Sequence, residues 1–160
     1  MDDPWLSDEQ QRTWRDFLRM SGTLSDVIER DLQREAGMPH AYYQILAMLS
    51  EAPDRSMRMN QLATVVRSSQ SRLSHAVTRL EHAGWVAREP VPGDGRGQIA
   101  RLTEPGYRRL ADVAPSHART VRAALFDPLT PEQLAQFDEI CRTVLAALER
   151  QVSGKQGGDR

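Results

Sequence analysis

Apolar residues near the start of the chain recur at intervals of mainly three and four, the spacing of one face of an α-helix. This stripe predicts a long amphipathic helix from about Ser7 to Glu35. The hydroxyl of Ser7 suits an N-cap, and Gly37 and Pro39 are typical of a helix end. The stripe consists of Trp14, Phe17, Leu18, Leu24, Ile28 and Leu32.

Shorter periodic segments predict a compact middle region. Asn60, Ser69 and Thr103 are expected to cap helices, and Gly84 is expected to stop one. A glycine-rich loop separates two short apolar runs, the pattern of a β-hairpin. The predicted helices are His40–Ser50, Asn60–Val66, Ser69–Ala83, Thr103 to about Phe126 with a kink near Pro115, and Thr130 to about Gln151, and the predicted strands are 85–88 and 99–102.

The order helix, tight turn at Arg67-Ser68, helix and hairpin is that of a winged helix-turn-helix. The predicted fold class is therefore mainly α with a small β-hairpin wing (α+β), flanked by N- and C-terminal dimerisation helices. The expected divisions are 1–36 for the N-terminal dimerisation helix, 37–106 for the winged helix-turn-helix, 107–152 for the C-terminal dimerisation helices and 153–160 for a disordered tail.

The last predicted helix carries a second apolar stripe. Together with the first stripe, it gives more apolar surface than one small domain is expected to cover, so pairing of two chains is predicted. The alternative is that both stripes pack within one monomer. The second stripe consists of Leu134, Phe137, Cys141, Val144, Leu145, Leu148 and Val152.

Charge is distributed unevenly along the 160 residues, although the formal net charge is only −1. Residues 1–54 hold 11 acids and 5 bases, residues 55–109 hold 10 arginines and 4 acids, and residues 110–160 hold 7 acids and 6 bases. The middle segment therefore carries +6, and the segment before it carries −6. Such asymmetry indicates an anionic partner, the alternative being chance variation on a solvated surface.

The helix from Ser69 to Ala83 has one apolar side and one side of hydroxyl, amide and cationic groups, with no acid between Gln70 and Leu80. Arginine and glutamine on such a face reach base edges in the major groove of DNA, and serine and threonine reach phosphates. An ordinary amphipathic surface helix is the alternative, although such helices usually include acids. The predicted DNA-binding residues of the helix are Ser69, Gln70, Ser71, Arg72, Ser74, His75, Thr78 and Arg79.

The hairpin loop Pro90–Gln98 presents Arg96 at a glycine-rich tip. An exposed arginine on a thin loop can enter a narrow minor groove, so Arg96 is predicted to bind DNA. Asp94 is expected to orient Arg96 or a neighbouring backbone amide. A plain hairpin turn with an incidental charge is the alternative.

These segments resemble the multiple antibiotic resistance regulator (MarR) family across nearly the whole chain. The resemblance implies a homodimeric winged-helix transcription regulator, often a repressor, that small and frequently aromatic ligands release from double-stranded DNA. Two positions depart from the family pattern: Arg67-Ser68 stands where Gly-Val is common in the turn, and Gly97-Gln98 stands where a second basic residue is common. The motifs that carry the resemblance are Leu62-Ala63, SQSRLSHAVTRLE over 69–81, Gly84-Trp85-Val86, Asp94-Gly95-Arg96 and Leu102-Thr103-Glu104-Pro105-Gly106.

A small-molecule effector is expected to bind between the arms and the DNA-binding unit. Several of the candidates also suit the core, because Trp14 and Tyr42 lie on apolar stripes. Cys141 lies on an apolar stripe too and is interpreted as a core residue, with a redox sensor as the alternative. The candidate effector-binding residues are Trp14, Arg15, His40, Tyr42, Tyr43 and His117.

Other classes lack support in the sequence. The four histidines and one cysteine form no zinc-binding spacing, and no set of catalytic residues suggests an enzyme, so neither a metal nor a cofactor is expected. There is no apolar run that could cross a membrane and no basic, apolar signal segment, so a cytoplasmic protein is predicted. The favoured function is a repressor that dissociates from a pseudo-palindromic operator when it binds an effector. The alternatives are an effector-independent DNA-binding activator or architectural protein, and an enzyme or protein-interaction module.

Overall fold

The computed structural model describes residues 4–94 and 97–156, except the side chains of residues 153–156. The chain divides into two compact units, residues 1–120 and residues 121–160. The helices are α1 (Asp8–Ala36), α2 (His40–Glu51), α3 (Met59–Val65), α4 (Gln70–His82), α5 (Glu104–Val121) and α6 (Pro131–Gln156), and the strands are β1 (Ser56–Arg58), β2 (Val86–Pro90) and β3 (Gln98–Leu102).

The first helix confirms the sequence prediction at both ends. The Ser7 hydroxyl accepts a hydrogen bond from the Gln10 backbone amide, and the Gln10 side chain accepts one from the Ser7 amide, which forms a capping box. Gly37, with φ of 57°, ends the helix in the left-handed conformation. Only the C-terminal part of the apolar stripe is covered: Ile28 and Leu32 are buried.

Helices α3 and α4 form the predicted helix-turn-helix. Ser69 caps α4, because its hydroxyl accepts a hydrogen bond from the Arg72 amide, and Gly84 (φ 73°) follows its C-terminus. The predicted cap of α3 is wrong. This helix begins at Met59 directly after β1, without a side-chain cap, and the Asn60 side chain accepts from the next amide along the chain instead.

The wing is a three-stranded antiparallel sheet of order β1-β3-β2. The predicted hairpin is present, with Val86 opposite Leu102 and Pro90 opposite Gln98. Sequence reasoning missed β1, a three-residue strand that pairs with β3 and places Met57 opposite Ala100. A segment this short has no alternating pattern, and only its pairing with a distant strand defines it.

The core of the first unit lies where α2, α3, α4 and the sheet meet. Leucines dominate it, and each fully buried leucine contributes about 2 kcal/mol through removal of apolar surface from water. The side chains with at most 1% exposure are Leu32, Met38, Leu46, Leu49, Leu62, Leu73, Val77, Leu80 and Ala100.

Thr103 joins the end of α4 to the start of α5. Its hydroxyl donates to the Gly84 carbonyl and accepts from the Gly106 amide, so it acts as the predicted cap of α5. A Cβ atom at Gly106 would collide with the backbone carbonyl of Trp85. The close approach of these two backbones explains the glycine of the Leu-Thr-x-x-Gly motif.

The second unit begins at Val121, the last residue of α5. It contains a π-helical segment, Arg122–Phe126, which is followed by α6. Thr130 and Gln133 exchange hydrogen bonds in a capping box at the start of α6. The helix continues to Gln156 and so extends into the segment 153–160 that was expected to be disordered; residues 157–160 lie outside the described residues. Cys141 is half-buried.

Candidate nucleic-acid interface

Helix α4 presents to solvent the face predicted from the sequence. Its apolar side, Leu73, Val77 and Leu80, is buried at 1% exposure or less. The first turn of the helix, which Ser69 caps, is exposed. The exposed residues of the predicted set are Ser69, Gln70, Ser71, Arg72, His75 and Arg79.

Ion pairs within the basic segment determine which arginines remain available to a ligand. Each of its four acids is paired with an arginine, and the pairs are Arg55–Glu104, Arg58–Asp94, Arg88–Glu81 and Arg101–Glu89. In the last pair, the hydrogen bond from Arg101 holds the pKa of the Glu89 carboxyl below its usual value. Among the other arginines that the structure describes in this segment, Arg67, Arg72 and Arg79 are exposed in the turn and α4.

Ser74 and Thr78, which belong to the predicted DNA-binding set, are half-buried and face β2. The Thr78 hydroxyl donates to the Ser74 carbonyl at 2.9 Å and accepts from Arg88 Nη2 at 2.9 Å. The same Arg88 nitrogen donates to the Ser74 carbonyl at 2.6 Å. Sequence reasoning missed Arg88, because its partners lie 10 and 14 residues away in another element.

At the wing, the Asp94 carboxylate accepts a hydrogen bond from the Gly97 amide at 3.1 Å. This contact is consistent with the predicted role of Asp94, to orient Arg96 or a neighbouring backbone amide. Asp94 also pairs with Arg58 at 3.4 Å, which ties the wing loop to the start of α3. Arg96, the predicted minor-groove residue, lies outside the described residues.

An open groove of about 600 Å³ lies between the start of α3, the start of α4 and the wing. Gln70, Ser71 and Ser74 line one side, and Asp94 and Gln98 line the other. Arg58 and Asn60, which sequence reasoning did not single out, line the same groove. Helix α4 and the wing therefore border one groove.

Three of the candidate effector-binding residues form a cluster of rings within the first unit. The His117 ring centroid is 4.1 Å from that of Tyr43 and 5.8 Å from that of His40. Burial, together with the charge of the neighbouring His40, lowers the pKa of His117, and burial also lowers the pKa of His40. His117 Nδ1 is buried without a hydrogen-bond partner among the described residues.

The structure does not bring the other three candidates into this cluster of described rings. Trp14 is 48% exposed and stacks on Phe17, with ring centroids 5.9 Å apart. Arg15 is exposed on α1, and Tyr42 is half-buried on α2. Periodicity placed Trp14 on an apolar stripe although its side chain is exposed, and it could not tell which helices bring the other rings together.

Metal-binding clusters and membrane-spanning helices are both absent from residues 4–94 and 97–156. These residues include no group of three or more histidine, cysteine or acidic side chains arranged to hold a metal ion. Over the same residues, no helix combines the length and apolar character needed to span a membrane.

Comparison with known proteins identifies the class to which this fold belongs. The MarR family pattern matches residues 36–97. The fold is similar to that of Sco3205, a MarR family transcriptional regulator from Streptomyces coelicolor whose crystal structure is in complex with DNA. The identity is 49%, the TM-score is 0.85, and the match covers 91% of this chain and 92% of that one.

Two relatives extend this comparison. The HTH-type transcriptional regulator PecS of Dickeya dadantii is 32% identical over 135 residues, which cover 79% of this chain and 75% of PecS. The transcriptional repressor MprA of Escherichia coli is 25% identical over 114 residues, 71% of this chain, and the chain spans 64% of the length of MprA. The class is thus the winged-helix transcriptional regulators, which are not enzymes. The chain belongs to the MarR family.

Proposed function

We propose that this protein is a homodimeric, DNA-binding transcriptional repressor. The exposed, acid-free face of α4 is the observation that carries this proposal, because its arginines and short polar side chains match the donor and acceptor pattern of a major groove. The similarity to Sco3205, which was crystallised with DNA, and to the repressor MprA supports the same function.

In the proposed complex, each part of the interface has a separate task. The exposed residues of α4, Gln70 and Arg72 among them, read base edges, while the serines of its first turn bind phosphates. Arg96 at the tip of the wing enters the adjacent minor groove. Arg88 pairs with Glu81 within the protein, whereas Arg67, Arg72 and Arg79 of the turn and α4 are exposed and supply positive charge to the interface.

Dimerisation follows from the apolar side chains that remain exposed on α1 and α6. Two copies of a recognition helix, related by two-fold symmetry, read two half-sites about one helical turn of DNA apart, so the operator is pseudo-palindromic. The exposed apolar residues on these helices include Trp14, Phe17, Leu18, Leu134, Ile140, Val144, Leu145, Leu148 and Val152.

A small aromatic acid is the proposed effector, and its binding releases the operator. The rings of His40, Tyr43 and His117 supply stacking surface, and the unpartnered Nδ1 of His117 supplies a polar atom to a carboxylate or phenol. The candidate residues outside this cluster, Trp14, Arg15 and Tyr42, have no comparable arrangement in support.

Binding to DNA tests the central part of this proposal. The protein is used to select duplexes from a random-sequence pool, and affinity for the selected duplex is measured at several salt concentrations. We expect Arg72→Ala and Arg96→Ala to weaken binding, and Arg96→Ala to lower the salt slope by about 1. Arg150→Ala, which removes an exposed arginine of α6, is the control and leaves binding unchanged.

The outcomes separate the candidate functions. Failure of the wild-type protein to enrich any sequence would contradict a sequence-specific regulator. Titration of the complex with salicylate tests the effector: release of DNA from wild type but not from His117→Phe supports it. Binding unaffected by any of a series of aromatic acids would favour the effector-independent regulator instead.

A further inference from the structure

Arg88 joins strand β2 of the wing to helix α4. Its Nη2 atom bridges the Ser74 carbonyl and the Thr78 hydroxyl of α4. Its Nε atom lies 3.2 Å from Glu81 Oε2, and its backbone amide donates to Glu81 Oε1 at 3.1 Å. One residue of β2 therefore holds α4 at three successive turns.

This contact set is shielded from solvent, unlike the exposed arginines of α4. The Arg88 and Glu81 side chains are 20% and 29% exposed, whereas the exposed pair Arg58–Asp94 has 49% and 45%. Charge-assisted hydrogen bonds in such partly buried positions are stronger than exposed ion pairs, which contribute little. The guanidinium faces α4 from the wing and does not project from the DNA-binding surface.

The planar guanidinium is required for this geometry. Nη2 donates hydrogen bonds to both Ser74 and Thr78, whereas Nε lies 3.2 Å from the Glu81 carboxylate as an ion pair without a hydrogen bond, so two nitrogens of one plane meet two sets of partners. A lysine ammonium keeps the charge but cannot span both sets of partners from a single nitrogen.

We infer that Arg88 is a positioning residue that sets the angle of the recognition helix relative to the wing, and that Thr78 contributes to sequence specificity through Arg88 without touching DNA. A bidentate base contact tolerates little displacement, whereas a phosphate contact is less directional. Loosening Arg88 should therefore reduce affinity for the operator more than affinity for unrelated DNA. The inference rests on the proposed DNA-binding function and revises the role predicted for Thr78.

The test compares affinity for the duplex selected by the wild-type protein with affinity for a scrambled duplex of equal composition. We expect Arg88→Lys to weaken binding to the selected duplex about fivefold or more while the scrambled duplex and the salt slope change little. Arg108→Lys, at an exposed arginine of α5, is the matched control and leaves both affinities unchanged. A selected-duplex affinity for Arg88→Lys equal to wild type overturns the inference, as does a lower salt slope, which indicates a direct phosphate contact.

Thr78→Val tests the second half of the inference with a substitution of nearly equal size that removes only the hydroxyl. If Thr78 acts through Arg88, the valine weakens selected-duplex binding in the wild-type background but adds nothing in the Arg88→Lys background. Additive losses indicate that Thr78 contacts DNA itself and overturn this role. Thr78→Ser keeps the hydroxyl and is expected to bind as wild type does; a loss in this variant also contradicts the inference.

The same experiment distinguishes this inference from the proposed function. If the wild-type protein selects no duplex, the DNA-reading function fails before any variant is tested. If it selects a duplex that Arg88→Lys and Thr78→Val bind as tightly as wild type does, only the positioning role fails.

Discussion

Arg67 adopts the left-handed backbone conformation, with φ of 51°, in the turn between α3 and α4. The Cβ atom of any residue other than glycine crowds the backbone there, at a cost of about 1–2 kcal/mol. This strain gives a physical reason for the glycine that is common at this place in the family. The exposed guanidinium of Arg67 lies next to the start of the recognition helix, so the chain combines an additional positive charge with a strained backbone.

Replacement of Arg67 tests this account. Arg67→Gly should increase the free energy of unfolding by about 0.5–1 kcal/mol, because relief of the strain outweighs the greater freedom of glycine in the unfolded chain. Arg67→Ala is the matched control, since it removes the same side chain but keeps the Cβ atom. Urea unfolding of the three proteins measures the difference, and equal stability of the glycine and alanine variants would contradict a strained turn.

At the scale of whole elements, α2 and α5 bring His40, Tyr43 and His117 into contact. Nearby acids of α1 oppose the effect of burial on the two histidines, Glu29 at His40 and Asp31 at His117. Burial is nevertheless the largest influence, so the native protein binds protons at these rings less readily than the unfolded chain does.

This difference predicts how stability depends on pH. Because both histidine pKa values are lowered on folding, the unfolded chain takes up more protons as the pH falls below about 6.5, and the native state loses stability there. The stability is fully present above that pH. His117→Phe should lose less stability between about pH 7.5 and about pH 5.5 than wild type does, as measured by urea unfolding at fixed protein concentration.

A second variant makes this result more specific. His40→Gln combined with His117→Phe should flatten the dependence of stability on pH further. The His40→Gln change leaves the hydrogen bond from the backbone amide of residue 40 to Glu29 in place, because that bond does not involve the side chain. An equally steep loss in wild type and in both variants would show that other groups cause the acid sensitivity.

Local signals made most elements predictable. Ser7, Ser69 and Thr103 cap helices as their sequences indicate, because the bonds involved span only a few residues. Features that depend on distant partners were missed. The strand β1 exists through its pairing with β3, and Arg88 gains its role from the turn of α4 that it meets.

The candidate site follows the same division. The exposed face of α4 could be predicted because helical periodicity alone assigns it, whereas periodicity assigned Thr78 to that face without revealing its contact with Arg88. The effector candidates were less predictable: burial is a tertiary property, and it separates His117 from the exposed Trp14.

For the whole molecule, the small net charge results from an acidic first segment, residues 1–54, and a basic middle segment, residues 55–109, that cancel each other. The acids of the basic segment are paired internally, so its excess charge falls to arginines that include those of the turn and α4. In the proposed function, this small net charge limits non-specific binding to DNA and leaves a larger share of the affinity to groove contacts. The proposed dimer would double the number of such groove contacts without adding charge to either chain.

The exposed stripe of α6 allows that step to be tested. Leu145 is 44% exposed between Val144 and Leu148, and a glutamate there would place an unpaired charge in the proposed dimer interface. We expect wild type to sediment as a dimer at micromolar concentration. Leu145→Glu should sediment as a monomer, with operator affinity reduced at least tenfold, roughly the loss of one half-site.

Thr143→Glu is the control and should remain dimeric. It adds the same charge at an exposed position of α6 that lies on the opposite side of the helix from Leu145, because residues about two positions apart differ by roughly 200° around a helix. If wild type sediments as a monomer, or if both variants remain dimeric, the stripe on α6 is not the dimer interface. Loss of operator binding together with the loss of the dimer would link the apolar stripe to DNA recognition.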